Sequence, residues 1–197
     1  MKVKWLGHAC FLITSTGGLR IITDPYMNNA GLNYKSINDK ADIVTVSHDH
    51  ADHNNTATVS GQPQIVKTAG VKEVKGIKIK GIPTYHDESK GRERGDNIIF
   101  CFTLDNINLC HLGDLGHRLS QEELGQIGQV DVFQHGFFVV ILAYANHGVD
   151  DFICFDGHGR SFLKCNDNYL FFFFSSFCSF FSFAVFRGFF FSAFLTS

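Results

Sequence analysis

The stretch Ser47-His48-Asp49-His50-Ala51-Asp52-His53 directly follows a short β-branched run at 41–46. Histidine and aspartate are mostly surface residues, and burying several of them together is costly without a partner such as a divalent metal ion. Side chains alternate along an extended turn, so His48 and His50 project to one side, and Asp52 and His53 face a neighbouring position after the chain bends. One short loop can therefore serve two metal ions. The alternative is a polar loop with chance histidines.

Two later residues extend this ligand pattern. His86 follows a predicted strand at 77–82, and Asp114 follows a predicted strand at 107–111. Functional side chains are often placed where strands end. Taken alone, His86 is typical of a surface loop and Asp114 of a turn beside glycine. With the motif at 48–53 in the same chain, both become candidate metal ligands.

Hydrophobic alternation and turn residues predict a strand-rich domain. We expect a helix at 121–127, because Ser120 and Glu123 have the spacing of a capping box. Many strands with few helices favour a layered α+β domain with a site at strand ends. The predicted strands are 3–6, 10–15, 19–23, 41–46, 64–67, 71–74, 77–82, 97–104, 107–111 and 130–133.

Composition narrows the function classes. The chain has 197 residues, enough for one domain, with 17 Lys and Arg against 19 Asp and Glu and a formal charge of −2. This balance disfavours nucleic acid as a partner, and a small-molecule substrate is expected. The six cysteines form no C-x-x-C pair and no apolar leader opens the chain, so we expect a reduced, cytoplasmic protein.

Six strings over residues 1–132 carry a resemblance to a known family. They are W-L-G-H-A-C-F-L-I (5–13), I-T-D-P (22–25), S-H-D-H-A-D-H (47–53), Y-H-D (85–87), G-R-E-R-G-D-N (91–97) and H-L-G-D-L-G-H (111–117). The sequence resembles the metallo-β-lactamase superfamily. Within it, the sequence is similar to the metal-dependent hydrolase branch that includes L-ascorbate-6-phosphate lactonase-like proteins.

The resemblance implies an αββα sandwich with a dinuclear site between its sheets. His48, His50 and His86 would hold the first metal ion, Asp52 and His53 the second, and Asp114 would bridge them. Histidine and carboxylate ligands suit Zn²⁺, with Mn²⁺ or Fe²⁺ as alternatives.

The implied reaction is hydrolysis of a small ester, lactone, amide or phosphoester by a metal-bound hydroxide. Asp52 and Asp114 are the candidate catalytic carboxylates, with Asp52 as a possible general base. His8 and His117 are candidates for supporting or proton-relay roles. Arg92 and Arg94 could hold a substrate anion, but solvation of the loop is the favoured interpretation for both.

The resemblance stops near residue 132. Three of the 22 phenylalanines precede residue 133, so nineteen lie in 133–197. The family's Gly-Gly loop and its last histidine ligand have no match, and no motif assigns His135, His147 or His158 to that role. We interpret 133–197 as an aberrant Phe/Ser-rich segment produced by a frameshift or gene-model error, and expect a sandwich incomplete at its C-terminus.

A genuine tail is the alternative interpretation of this segment. Its uncharged stretch, 169–186, is just long enough to raise the question of a membrane anchor. The alternative functions are accordingly an inactive metal-binding remnant with an apolar, possibly membrane-associated tail and, less favoured, a nuclease.

Overall fold

Two β-sheets form the framework of the chain. The computed structural model describes residues 1–28, 33–135, 138–141, 153–155 and 161–162. In the first sheet, β1, β2 and β3 are antiparallel neighbours, and β4 and β5 continue the sheet in parallel. Its strands, in spatial order, are β1 (Lys2–Gly7), β2 (Cys10–Thr14), β3 (Arg20–Thr23), β4 (Ile43–Thr45) and β5 (Gln64–Val66).

The second sheet has the spatial order β13-β12-β11-β10-β9-β8-β7-β6. Only β9 and β10 pair in parallel, and every other neighbouring pair is antiparallel. Its strands are β6 (Gly70–Val74), β7 (Ile77–Tyr85), β8 (Asp96–Leu104), β9 (Ile107–His111), β10 (Val132–His135), β11 (Phe138–Ile141), β12 (Ile153–Phe155) and β13 (Ser161–Phe162).

One α-helix, α1 (Gln121–Ile127), and one 3-10 turn, Thr56–Thr58, accompany the sheets in the described part of the chain. The predicted capping box is confirmed, because the Glu123 amide donates to the Ser120 hydroxyl and the Glu123 carboxylate accepts from the Ser120 amide. No helix in the described ranges is both long and apolar enough to span a bilayer. The stretch 169–186 lies outside those ranges.

The main core lies between the two sheets. Phe11, Ile21 and Ile43 from the first sheet pack with Phe100 and Leu109 from the second. A separate cluster that includes Ile82, Ile99 and Cys110 packs with Ile127 of α1. The expected layered α+β architecture is confirmed. Its expected incompleteness beyond residue 132 falls mostly on undescribed residues and stays a prediction.

Every predicted strand is present, with end points that differ by a few residues. The largest difference is β7, which continues through Pro83 to Tyr85. Proline has no amide hydrogen to donate, so it is tolerated where a strand has a free edge. The pairing of β6 with β7 ends at Gly70 and Gly81, which leaves that side of Pro83 unpaired. The strands β11–β13 have no counterpart among the predictions.

The topology brings several loops to one edge. The strands β3 and β4 are parallel, so Asp24 and the segment after Thr45 leave the sheet at the same end. Because β1 and β2 are antiparallel, their turn at His8 lies at that end too. The sheets meet there through the Ile98 amide, which donates to the Ser47 carbonyl at 2.9 Å.

Candidate metal centre

The six predicted ligands meet at this edge. His48, His50, Asp52 and His53 follow β4, His86 follows β7, and Asp114 lies in the loop after β9. The His86 amide donates to the Gly95 carbonyl at 3.0 Å, which ties this ligand to the 91–95 loop. The motif and the two later residues therefore form one site, as the strand-end argument predicts.

His48, His50 and His86 form a first cluster. One ring nitrogen from each lies within 4.8 Å of the others. The ring of His48 lies 4.5 Å from that of His50 and 5.0 Å from that of His86, centroid to centroid. Three imidazoles converging on one point form a donor set typical of Zn²⁺.

A second cluster contains His53 and Asp114, together with His8 and Asp52. Asp114 Oδ2 lies 3.3 Å from His53 Nε2 and 3.1 Å from His86 Nε2, so one carboxylate oxygen stands between the two clusters. His8 Nε2 lies 3.0 Å from His53 Nε2 and 3.3 Å from Asp52 Oδ2. His8, expected only to support the site or relay protons, is thus a close neighbour of the predicted ligands.

Beneath both clusters lies Asp24, a fully buried carboxylate. Its Oδ2 accepts from the Ser47 hydroxyl at 2.6 Å, from His111 Nε2 at 2.8 Å and from His53 Nδ1 at 2.9 Å. Its Oδ1 accepts from the Ser47 amide at 2.7 Å. Asp24 also lies within 4.8 Å of ligand atoms of His48 and His53. Because its oxygens already accept four hydrogen bonds, Asp24 orients ligands rather than adding one.

The hydrogen bonds between Asp24 and Ser47 also determine which ring nitrogen of His48 carries the hydrogen. Its Nδ1 lies 2.9 Å from the Ser47 hydroxyl, whose own hydrogen is donated to Asp24. Nδ1 is therefore the donor, and Nε2 carries the lone pair. That Nε2 is buried and has no hydrogen-bond partner among the described residues. A buried acceptor nitrogen that has no hydrogen-bond partner and lies beside other imidazoles is typical of a metal ligand.

Burial and neighbouring charges shift the pKa values of these side chains in different directions. Burial lowers the pKa of His48 to about 4, so His48 is neutral at pH 7. Burial also opposes protonation of His53, but hydrogen bonds and charges from Asp114 and Asp24 outweigh it and raise the pKa to about 10. Burial disfavours ionised Asp114 and Asp24, yet neighbouring histidines hold both pKa values well below the usual range.

Asp114 is positioned by its backbone. Its amide donates to Asn97 Oδ1 at 3.1 Å, and Asn97 Nδ2 donates to the Leu112 carbonyl at 3.0 Å. The intervening Gly113 has φ +58°, and a Cβ there would lie 2.6 Å from the Ser47 hydroxyl. Only glycine therefore fits this close approach between the two sheets.

Beside the first cluster lies a cavity of about 360 Å³. His48 and His50 line it together with two exposed cations, Lys67 and Arg94. Neither cationic side chain forms a hydrogen bond or ion pair with a residue that the structure describes. Arg92, in contrast, is not among the lining residues, and its Nε donates to the Ser89 carbonyl at 3.0 Å.

Sequence reasoning missed the supporting residues. None of Asp24, Ser47 and His111 was assigned a role from the sequence. The one available signal was their position inside the strings that carry the resemblance. The other supporting candidate, His117, lies outside both clusters, where its Nδ1 is 2.9 Å from the Arg118 carbonyl. The side chains of His135, His147 and His158 lie outside the described residues.

Comparisons with known proteins find relatives that are named metal-dependent hydrolases. A UPF0173 metal-dependent hydrolase of Methanoculleus marisnigri is 31% identical over 137 residues, covering 58% of each chain. A protein of the same name from Archaeoglobus fulgidus is 26% identical over 162 residues, covering 67% of this chain and 69% of that protein. The chain thus spans less than two thirds of the Methanoculleus protein.

A solved structure shows the same fold. It is described as a Zn-dependent hydrolase of the metallo-β-lactamase superfamily from Thermotoga maritima. It is 37% identical, with a TM-score of 0.52, over 66% of this chain and 58% of the other. Residues 2–136, more than half of the chain, match the family model of the Beta-lactamase superfamily domain. Together with the two-sheet fold and the clustered ligands, this match shows that the chain belongs to the metallo-β-lactamase superfamily.

Proposed function

We propose that this chain is a metal-dependent hydrolase that uses two divalent metal ions on a small-molecule substrate. The observation that carries the proposal is the position of Asp114 between the two ligand clusters. Its Oδ2 lies 3.1 Å from His86 Nε2 and 3.3 Å from His53 Nε2. A carboxylate that joins two such clusters can bridge two ions, a common arrangement in hydrolytic two-metal sites.

The donors fit two such ions. His48, His50 and His86 would hold the first ion, Asp52 and His53 the second, and Asp114 both. The buried, unpartnered Nε2 of His48 supports this assignment. Mixed nitrogen and oxygen donors favour Zn²⁺, with Mn²⁺ and Fe²⁺ as the alternatives.

In the proposed reaction the metal ions would activate the water, and residues of the protein would orient the ligands and accept a proton. When bound, two such ions lower the pKa of a water molecule and polarise the oxygen of the bond that is cleaved. Asp24 accepts a hydrogen bond from His53 Nδ1 and so orients the ring with its Nε2 available as a metal ligand. Asp52 is 34% exposed and directs Oδ2 at His8, which leaves Oδ1 to accept a proton as a general base.

The cavity supports a small, anionic substrate. Its volume of about 360 Å³ suits a small molecule. Its two cations, Lys67 and Arg94, form no ion pair within the described part of the chain and suit a carboxylate or phosphate group on an ester, lactone, amide or phosphoester. Arg94 is held in place because the amides of Glu93 and Arg94 donate to Asp87 Oδ2 at 3.1 and 2.8 Å.

Metal content tests the core of the proposal. In the full chain, a double H48A/H50A variant should lose the first ion and the hydrolysis of a panel of p-nitrophenyl esters, phosphoesters and lactones. The matched control is H117A, since His117 lies outside both clusters and should keep metal and activity. If H48A/H50A keeps the wild-type metal content and activity, the proposal is wrong.

The number of metal ions bound per chain also distinguishes an active hydrolase from an inactive metal-binding remnant. Two ions per folded wild-type chain favour a hydrolase, whereas one or none favours a remnant. The net charge of −2 gives a nuclease no support. A cytoplasmic location and the 133–197 boundary remain proposals of the same kind.

Substrate charge is tested separately. In K67A and R94A the KM for a carboxylate- or phosphate-bearing ester should rise about tenfold, because each change removes one charge-assisted hydrogen bond. The KM for a neutral ester should stay the same. R92A is the control, because Arg92 does not line the cavity. Equal effects on charged and neutral esters would contradict the anionic assignment.

A further inference from the structure

The geometry points to His8 as a further ligand of the second metal ion, an assignment that rests on the function proposed above. The carry-over from the family gives this ion Asp52, His53 and the bridging Asp114. A fourth ligand would come from the turn between β1 and β2, far from the others in sequence. His8, His53 and Asp114 already form one of the groups whose donor atoms lie within 4.8 Å of one another.

The spacing of the donor atoms supports this inference. A tetrahedral ion with bonds of about 2.0–2.1 Å holds its donors roughly 3.3–3.4 Å apart. His8 Nε2 lies 3.0 Å from His53 Nε2 and 3.3 Å from Asp52 Oδ2. His53 Nε2 lies 3.3 Å from Asp114 Oδ2 and 3.9 Å from Asp52 Oδ2. The distances from His53 to His8 and to Asp114, and from His8 to Asp52, are therefore close to the spacing of ligands around one ion.

The atoms around His8 also favour a cation at this point. The Nδ1 of His53 lies 2.9 Å from Asp24 Oδ2, and the Nε2 of the same ring lies 3.0 Å from His8 Nε2. Carboxylate oxygens of Asp52 and Asp114 lie beside these two Nε2 atoms. Imidazole nitrogens and carboxylate oxygens that converge in this way suit a divalent ion.

The backbone holds His8 in an unusual conformation. Its φ of +50° lies in the left-handed region, which residues other than glycine seldom adopt. Trp5 Nε1 donates to the His8 carbonyl at 2.8 Å and fixes the turn. At the preceding Gly7, with φ +135°, a Cβ would lie 2.9 Å from the Tyr26 hydroxyl. Such strain persists where the surroundings impose it, often at functional sites.

Metal stoichiometry and a spectroscopic probe test the assignment in the full chain. In H8Q, zinc content after dialysis should fall from two ions to one per chain, or the second Kd should rise at least about tenfold. With Co²⁺ as the probe, the visible absorption of the second ion should weaken or shift. The control is H117Q, since the side chains of His8 and His117 are 13% and 15% exposed.

The outcomes separate the two proposals. If H8Q binds two ions with unchanged affinity and spectrum, His8 is not a ligand, and the proposed function stands. If wild-type protein binds no metal, both proposals fail. If H8Q binds one ion while H117Q binds two, the assignment is supported.

A test on the unmodified chain covers the case in which H8Q does not fold. Diethyl pyrocarbonate modifies imidazole nitrogens that carry a free lone pair, and peptide mass spectrometry locates the product. Zn²⁺ should slow modification of His8 at least about fivefold relative to EDTA-treated protein, while His117 reacts equally in both. Equal reactivity of His8 with and without Zn²⁺ would overturn the inference.

Discussion

Replacement of Asp24 by asparagine is the sharpest perturbation that the structure offers. The buried carboxylate accepts four hydrogen bonds, three of them at Oδ2 and one at Oδ1. Asparagine has the same shape, but one of its terminal groups is an NH₂ that cannot accept. If the amide oxygen takes the Oδ2 position, the NH₂ faces the Ser47 amide, and that buried donor is left without a partner.

The loss in stability expected for D24N follows from the number of hydrogen bonds that the carboxylate accepts. One orphaned buried donor costs about 1–3 kcal/mol. The charge is lost as well, and hydrogen bonds to an ionised acceptor are roughly twice as strong as neutral ones. We expect a loss of about 3–5 kcal/mol in the free energy of unfolding, comparable to breaking other buried charge pairs. Against a typical total of about 5–15 kcal/mol, this loss is large but survivable.

Metal binding should suffer at both positions. Asp24 contacts His53 directly and reaches His48 through the Ser47 hydroxyl. Losing a carboxylate that orients a histidine ligand typically lowers metal affinity about 10–100-fold. D24N should therefore weaken both ions, whereas S47A should weaken chiefly the ion held by His48. Stepwise Zn²⁺ titration and urea denaturation measure the two effects.

The control for D24N is D105N. Asp105 accepts hydrogen bonds from the amide and hydroxyl of Thr16 and forms an ion pair with the N-terminal ammonium at 3.1 Å, but it lies on the surface, where such contacts contribute little. Its replacement should cost less than about 1 kcal/mol and leave metal affinity unchanged. The reasoning would be refuted by a D24N protein that unfolds at the wild-type urea concentration and binds both ions with wild-type affinity.

Three further predictions concern single features. G113A should lose about 2–4 kcal/mol in urea denaturation, because the new Cβ meets Ser47 and φ is +58°. Q134L should gain about 1–3 kcal/mol, because the buried Gln134 amide has no hydrogen-bond partner among the described residues. Metal-free stability should peak near pH 6.5. Above that pH the raised pKa of His53 makes stability fall as pH approaches 10, and below it the lowered pKa of His48 makes stability fall toward pH 4, with a further fall from the depressed pKa of Asp114 at lower pH. Urea denaturation with EDTA checks this profile, and saturating Zn²⁺ should remove the alkaline decline.

Local features were the ones that the sequence could predict. The motif at 48–53 lies within one loop, so its ligands were visible without a fold. The capping box at Ser120 is equally local. The two residues between β6 and β7, 75–76, and the two between β8 and β9, 105–106, all have positive φ, as a type I′ hairpin turn requires, and Gly or Asn in each pair is a local signal of such a turn.

The contacts around Asp24 and His8 could not be predicted from the sequence, because they join residues that are far apart in the chain. Asp24 and His111 are 87 positions apart, and nothing in the sequence of either residue indicates the 2.8 Å contact between them. His8 is separated from His53 by 45 positions. Such contacts depend on which strand ends share an edge, and that requires the parallel pairing of β3 with β4. Sequence patterns predict strands but not their neighbours.

The point at which the resemblance stops has a structural counterpart in β10. This strand supports the site through its main chain: the Leu112 amide, next to His111, donates to the Gln134 carbonyl at 2.8 Å. Main-chain pairing makes little demand on side-chain identity, so an unrelated sequence can still supply it. The buried side chain of Gln134 fits less well, because both its amide atoms lack partners among the described residues. A polar side chain without a partner in the described ranges, at a fully buried position, marks Gln134 as a poor fit to its strand. The ligands, in contrast, all lie between His8 and Asp114, so metal uptake and the origin of the later segment are separable questions.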